Sequence, residues 1–276
     1  MKQVSLRFRS LAAASFLLAM GARALMGEPM SPAPLLDGNE IARRINARDE
    51  GASSAQTMVI ETTDRRGKSR VRETRIFRKY VGEEKRTAIF FEEPRSVKGT
   101  AFLTIDYPEA GRDDDLWLYL PAARKVRRIS MANRGQYFLG TDFTYEDMKK
   151  STKVALEDYE WKTLGEEVVD GRRCFLLEAV PVSEVSNELG YSRSRQWVDA
   201  EIFIFRKIQA WDVQGNELKT IEFKDISQVH GIWTVHRIEA HNHKTGHHSV
   251  LAFSNVDYAS EVKDDLFTPQ ALRRGP

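Results

Sequence analysis

Five of the six histidines, His236, His241, His243, His247 and His248, crowd into thirteen residues near the end of the chain. Neutral imidazoles around one turn are the raw material of a zinc site, and zinc would bring metal-assisted hydrolysis. The spacing argues against it. On a strand His241 and His243 share a face, but His247 and His248 point oppositely and lie beyond the Lys244-Thr245-Gly246 turn. The acidic residues that would complete a hydrolytic site are not read near them. A polar, solvated hairpin tip is the expectation, with no metal and no cofactor. Nucleophilic chemistry finds no better support. The lone Cys174 sits in Arg173-Cys174-Phe175-Leu176-Leu177 and reads as a buried small hydrophobe, which rules out internal disulfides and Cys-x-x-Cys sites. No G-x-S-x-G motif occurs, and the serines beside the histidines share their hairpin. An enzyme is not expected.

Charge excludes another class. Lysine and arginine number 42 against 40 acidic residues, spread without a polybasic block, so nucleic acid is not an expected partner. The start of the chain reads as a secretory signal over residues 1–24: Lys2, Arg7 and Arg9, an apolar run over 11–20, and an Ala22-Arg23-Ala24 cleavage site. That run is shorter than the roughly 20 apolar residues a membrane span needs. A Cys just after the signal, required for a lipid anchor, is missing. Residues 25–36 are Pro-rich and read as a flexible leader, and 37–276 as a single domain. The expected location is the periplasm.

Asp37 is placed to cap a helix through residue 49, with Ile41 and Ile45 on one face. From residue 55 the pattern turns to period two. Strands are expected over 56–63, 70–80, 85–92, 99–107, 116–120 and 125–129, then over 161–169, 172–180, 195–206, 208–212, 217–227, 232–243 and 248–258. Turn residues such as Asp170-Gly171 and Gln214-Gly215-Asn216 separate them. Several strands, among them 88–91, 174–177 and 202–205, are apolar on both faces, while 70–78 and 217–224 are charged on one. A curved sheet with an apolar concave side fits, its doubly apolar strands covered outside by helices or a chain end; a sandwich fits the pattern equally.

The stretch from Asp113 to Met148 is the most distinctive. An acidic turn, Asp113-Asp114-Asp115, leads into Leu116 to Leu120, Pro121 ends that strand, and Arg124 to Ile129 returns as its hairpin partner. Phe138 to Met148 then forms a Gly-marked loop entering a short helix over about 141–151, with Thr141 or Asp142 placed to cap it. This segment resembles the signature of the bacterial outer-membrane lipoprotein-sorting, LolA-like family. Trp197-Val198-Asp199 with Arg206-Lys207 and Asp212-Val213-Gln214-Gly215, Gly231-Ile232-Trp233, and the closing Phe267 to Leu272 are similar to that family as well. The resemblance runs from about Asp37 to Leu272.

It implies a mainly β fold with helices, a half-open antiparallel β-barrel of the LolA/LppX type closed by a helical lid. It also implies a carrier that shields acyl chains in a hydrophobic cavity. Ile60, Phe102, Leu116, Leu118, Phe138, Phe143, Tyr145 and Met148 are the cavity candidates. In characterised carriers an arginine hydrogen-bonds the lid, and Arg124, Arg127 and Arg128 are the candidate latches here. The implied partners are an acylated lipoprotein or lipid, an inner-membrane exporter of the resistance-nodulation (RND/MMPL) or ABC type, and an outer-membrane acceptor. The same barrel also serves sensors that regulate a membrane partner, which stands as the alternative beside the His-cluster enzyme.

Overall fold

Asp37 begins the fold as expected. Its carboxylate accepts the amides of Asn39 at 2.9 Å and Glu40 at 3.3 Å, capping helix α1 (Gly38–Asn46). Ile41, Ala42 and Ile45 form its buried face. At Gly38 the helix touches the chain ahead of it: a Cβ there would stand 2.8 Å from the Trp161 backbone carbon. The computed structural model describes residues 35–108, 112–150 and 153–276; the expected signal, and the leader up to residue 34, lie outside these.

After α1 come β1 (Ser53–Thr63), β2 (Ser69–Val81), β3 (Glu84–Glu93), β4 (Ala101–Asp106), β5 (Asp115–Leu120) and β6 (Lys125–Ile129). Helix α2 (Tyr145–Lys150) separates these from β7 (Tyr159–Val169) and β8 (Arg172–Pro181), and α3 (Ser183–Leu189) precedes β9 (Tyr191–Asp199). The chain continues through β10 (Phe205–Asp212), β11 (Glu217–Val229), β12 (Ile232–Asn242) and β13 (His247–Asp257) to a last turn of helix, α4 (Ala271–Arg274). Among the described residues these strands make one antiparallel sheet of thirteen, in the order β6-β5-β4-β3-β2-β1-β13-β12-β11-β10-β9-β8-β7. The sheet is not closed into a barrel, and β6 and β7 are its edges.

Curvature follows from what the concave side brings together. Trp161 on β7 and Leu251 on β13 stand six places apart in the order, roughly 29 Å on a flat sheet, yet they line one small hollow. Bulges that shift the register at Gly165 and after Ala210 help bend the strands. The concave face and α1 share one apolar cluster reaching from Leu116 on β5 to Leu177 on β8. Behind β2–β4, Phe77, Phe90 and Leu103 are covered by Val262, Phe267 and Leu272 of the C-terminal segment, so a chain end does cover a doubly apolar stretch. Cys174 is buried with Leu176 and Trp197.

Several elements depart from expectation, the first helix among them: read through residue 49, it ends at Asn46. The strand read over 195–206 is broken at Asp199, whose Oδ1 accepts the amides of Glu201 and Ile202 and folds the chain back into β10. Arg206 donates to the other carboxylate oxygen at 2.8 Å, so the Trp-Val-Asp motif ends a strand instead of continuing it. The helix of the 141–151 segment begins only at Tyr145. Helix α3, ended by Gly190 at φ 73°, was not anticipated.

Candidate functional site

The segment 137–148 covers part of the concave face, and its sequence explains its shape. Tyr137 and Thr144 form a bridge, and the Phe138 amide donates to the Phe143 carbonyl at 2.7 Å. Between them Leu139 and Gly140 both take left-handed backbone, φ 44° and 77°, which is why the turn carries a glycine. Thr144 caps α2, in place of the expected Thr141 or Asp142: its amide donates to Asp147 at 2.7 Å and its hydroxyl accepts the Asp147 amide at 3.0 Å. This is the reciprocal arrangement of a capping box. Phe138, Phe143 and Tyr145 thereby point inward and are buried.

Polar pins hold the segment at one rim of the sheet. Arg72 on β2 donates to the Leu139 carbonyl at 2.7 Å. Ser249 on β13 donates to the Asp142 carboxylate at 2.6 Å and accepts the Asp142 amide at 2.9 Å. Asn242 donates to the Tyr137 hydroxyl at 2.9 Å. The deepest pin is Lys219 on β11, fully buried, whose Nζ meets Asp147 at 2.5 Å and the Asp142 carbonyl at 2.9 Å. Tyr191 donates to the same Asp147, and burial holds its phenol pKa well above the usual range. Lys219 shares a strand face with Ile221 and Phe223, so a lysine on an apolar stripe was the signal sequence reasoning missed.

Beneath this cover lie two neighbouring hollows of about 130 and 80 Å³. Phe205, Ile238 and Leu251 line both and form the partition between them. Met58, Ile76, Ile89 and Phe253 are among the apolar residues of the larger, beside polar ones such as Gln56 and Thr87; Trp161, Ile208, Ile221 and Phe223 are among those of the smaller, beside Gln196 and Lys219. Each is below the roughly 300–1,000 Å³ typical of a ligand pocket.

All eight expected cavity residues belong to or pack against the concave cluster. Met148 lines the larger hollow and Phe143 the smaller. The other six, Ile60, Phe102, Leu116, Leu118, Phe138 and Tyr145, line neither. Phe102, Phe138 and Tyr145 pack ring against ring, with centroids 5.1 to 5.6 Å apart, and fill the β3–β5 end; the void lies toward β10–β13. The candidate latches sit on the exposed β5–β6 hairpin. Arg124 occupies its turn at φ 50°, Arg127 is exposed, and Arg128 pairs with Asp115 at 2.6 Å. Arg72 on β2, which was not among the candidates, is an arginine that does reach the covering segment, at the Leu139 carbonyl.

The histidines also arrange themselves otherwise than expected. His241 faces His248 across β12 and β13, with rings stacked 4.0 Å apart, while His243 meets Thr220 at 2.9 Å. Glu239 joins the first two, so three potential metal ligands do converge. Its carboxylate is already engaged by Lys224 at 2.9 Å and Arg237 at 2.5 Å. Although burial pushes its pKa up, these two cations outweigh it and hold it at about 2. A bound cation would compete with both for the same carboxylate.

No helix among the described residues is long and apolar enough to cross a membrane. A family model described as that of an uncharacterized protein matches residues 83–274. Among solved structures, a DUF1329 family protein from Desulfovibrio piger is 30 % identical with a TM-score of 0.79, over 85 % of this chain and 97 % of that one. A domain provisionally described as an outer membrane lipoprotein-sorting protein, from Vibrio parahaemolyticus, is 32 % identical with a TM-score of 0.78, over 86 % and 98 %. A LolA superfamily protein from Nitrosomonas europaea shares the fold at a TM-score of 0.63 and 22 % identity, over 85 % and 98 %. No curated protein matches. The LolA superfamily neighbour shows the fold, and with two relatives at or above 30 % identity and the family model spanning most of the sheet, the chain belongs to the DUF1329 family of outer membrane lipoprotein-sorting proteins.

Proposed function

We propose that the protein is a periplasmic carrier of acylated lipoprotein or lipid. It takes its cargo from an inner-membrane exporter of the RND/MMPL or ABC type and passes it toward an outer-membrane acceptor, without catalysis. The curved sheet acts as a half-open barrel, and the 137–148 segment with α1 acts as its lid. What supports this reading is the pair of hollows, each lined largely by apolar side chains with polar groups at its edges, beneath a segment held by separable polar pins. A chain of roughly sixteen carbons gains about 0.8 kcal/mol per buried methylene, on the order of 12 kcal/mol in all. That exceeds what opening a few pins would cost, so cargo can drive the cover aside and enlarge the space. Native mass spectrometry of protein recovered from its own periplasm tests it: an acylated species should be bound. A clean unliganded mass, together with no uptake of a fluorescent fatty acid, would sink the reading.

A further inference from the structure

The outer face of the β12–β13 hairpin carries a pair of imidazoles that the carrier reading leaves unused. Ile238, Ala240 and Leu251 belong to the concave cluster. Glu239, His241 and His248 alternate with them along the two strands and so stand on the opposite face. His241 and His248 are direct partners in the register, with ring centroids 4.0 Å apart. The ligand atoms of all three residues lie within 4.8 Å of one another. Two nitrogens sharing one tetrahedral zinc stand roughly 3.3 Å apart, because each bond is roughly 2.0–2.1 Å long. Rotation of the exposed His241 ring spans the difference.

Each ligand has electrons to give. His248 Nε2 is buried without a hydrogen-bond partner among the described residues and stands 3.9 Å from the Glu239 carboxylate. Glu239 accepts one donor on each oxygen, Arg237 on Oε1 and Lys224 on Oε2. A carboxylate oxygen has two lone pairs, so each keeps one. Lys224 is shared with Glu222 at 3.0 Å, which lessens its claim on Glu239. Two imidazole nitrogens beside one carboxylate oxygen suit zinc or copper(II); magnesium and calcium take shells of oxygen instead.

We propose that His241 and His248, with Glu239 as third ligand, bind a divalent d-block cation such as zinc on the outer face of the sheet. The site is separate from the hollows and stands or falls independently of the carrier reading. Isothermal titration of the untagged protein with zinc chloride tests it, with magnesium chloride for comparison. One zinc per chain should bind with micromolar affinity, and magnesium should give no binding. His241→Ala and His248→Gln should each weaken zinc at least tenfold; should His248→Gln fail to fold, the exposed His241 decides. Glu239→Gln should weaken it as well, and His247→Ala, whose ring lies on the other face, should leave it unchanged. No zinc binding by the parent, or full affinity in the folded His241→Ala, overturns the site. An equal loss in His247→Ala makes the binding a loose attraction to a histidine-rich tip, and magnesium bound as tightly as zinc makes it plain charge attraction; either overturns it. Full affinity in Glu239→Gln strikes the carboxylate from the ligand set and overturns the three-ligand site.

Discussion

Lys219 on β11 and Asp147 on α2 form a buried pair, and the same ammonium takes the Asp142 carbonyl from the loop before the helix. One side chain thus fastens both halves of the covering segment to the sheet. Removing one partner of a buried pair leaves an uncompensated charge, costing about 3–5 kcal/mol. Lys219→Met should lower the urea midpoint accordingly, and adding Asp147→Asn, which removes the stranded charge yet keeps an acceptor for the Thr144 amide and the Tyr191 hydroxyl, should recover part of the loss. A double variant no more stable than the single would mean that the stranded charge is not what the single variant suffers from.

Arg72 holds the other end of the segment through the Leu139 carbonyl, and its guanidinium pKa is lowered by burial and by Arg70. Hydrogen bonds to a charged group contribute about 1.5–3 kcal/mol. In Arg72→Ala, amide exchange over 138–148 should accelerate while the strands stay protected. Uniform acceleration across the sheet would instead make Arg72 a general stabiliser.

Much of this architecture was legible because period-two patterning and turn residues are local signals. All thirteen strands were anticipated, most to within a few residues, as was the cap at Asp37. What failed lay in individual side-chain contacts, one local and the others long-range. Asp199 looked like part of a strand because its turn is made by a side chain accepting amides two and three residues on. Phe102 and Phe138 looked like cavity wall because an inward aromatic reads the same whether it borders a void or fills it. Arg72 and Arg128 are alike in sequence, and only the register of β2 places the first beneath Leu139.

Acid should unsettle the outer face of β12. Glu239 has its carboxyl held at about 2 by Lys224 and Arg237 against the opposing effect of burial. A depressed carboxylate contributes stability that is present above its unfolded pKa, near 4.5, and lost as pH falls toward 2. The effect is at most about 3 kcal/mol. Denaturant titrations at pH 5 and pH 2.5 should show Glu239→Gln less stable than the parent at the higher pH and closer to it at the lower. A constant gap would remove Glu239 from the account.

Cys174 is fully buried on β8, and burial, reinforced by Asp199 against the opposing charge of Arg206, raises its thiol pKa to about 11. Thiolate is the reactive form, so a disulfide reagent at pH 8 should label it only at the rate of global opening. Denaturant should raise the labelling rate in step with unfolding. Rapid labelling of the native protein would place the thiol at a surface the fold denies it.

The partition between the hollows offers the sharpest test of how the interior is used. Phe205 borders both spaces and touches Phe223 with ring centroids 5.7 Å apart. Phe102 is equally buried but packs among Phe138 and Tyr145, away from either space. Truncating each to alanine should cost a similar about 3–5 kcal/mol, since both lose the same buried ring. Only Phe205→Ala joins the two hollows into one longer channel, so it alone should raise uptake of a fluorescent long-chain fatty acid. Equal gains in both variants would show that general loosening admits the probe, and the hollows would then have no special part in holding it.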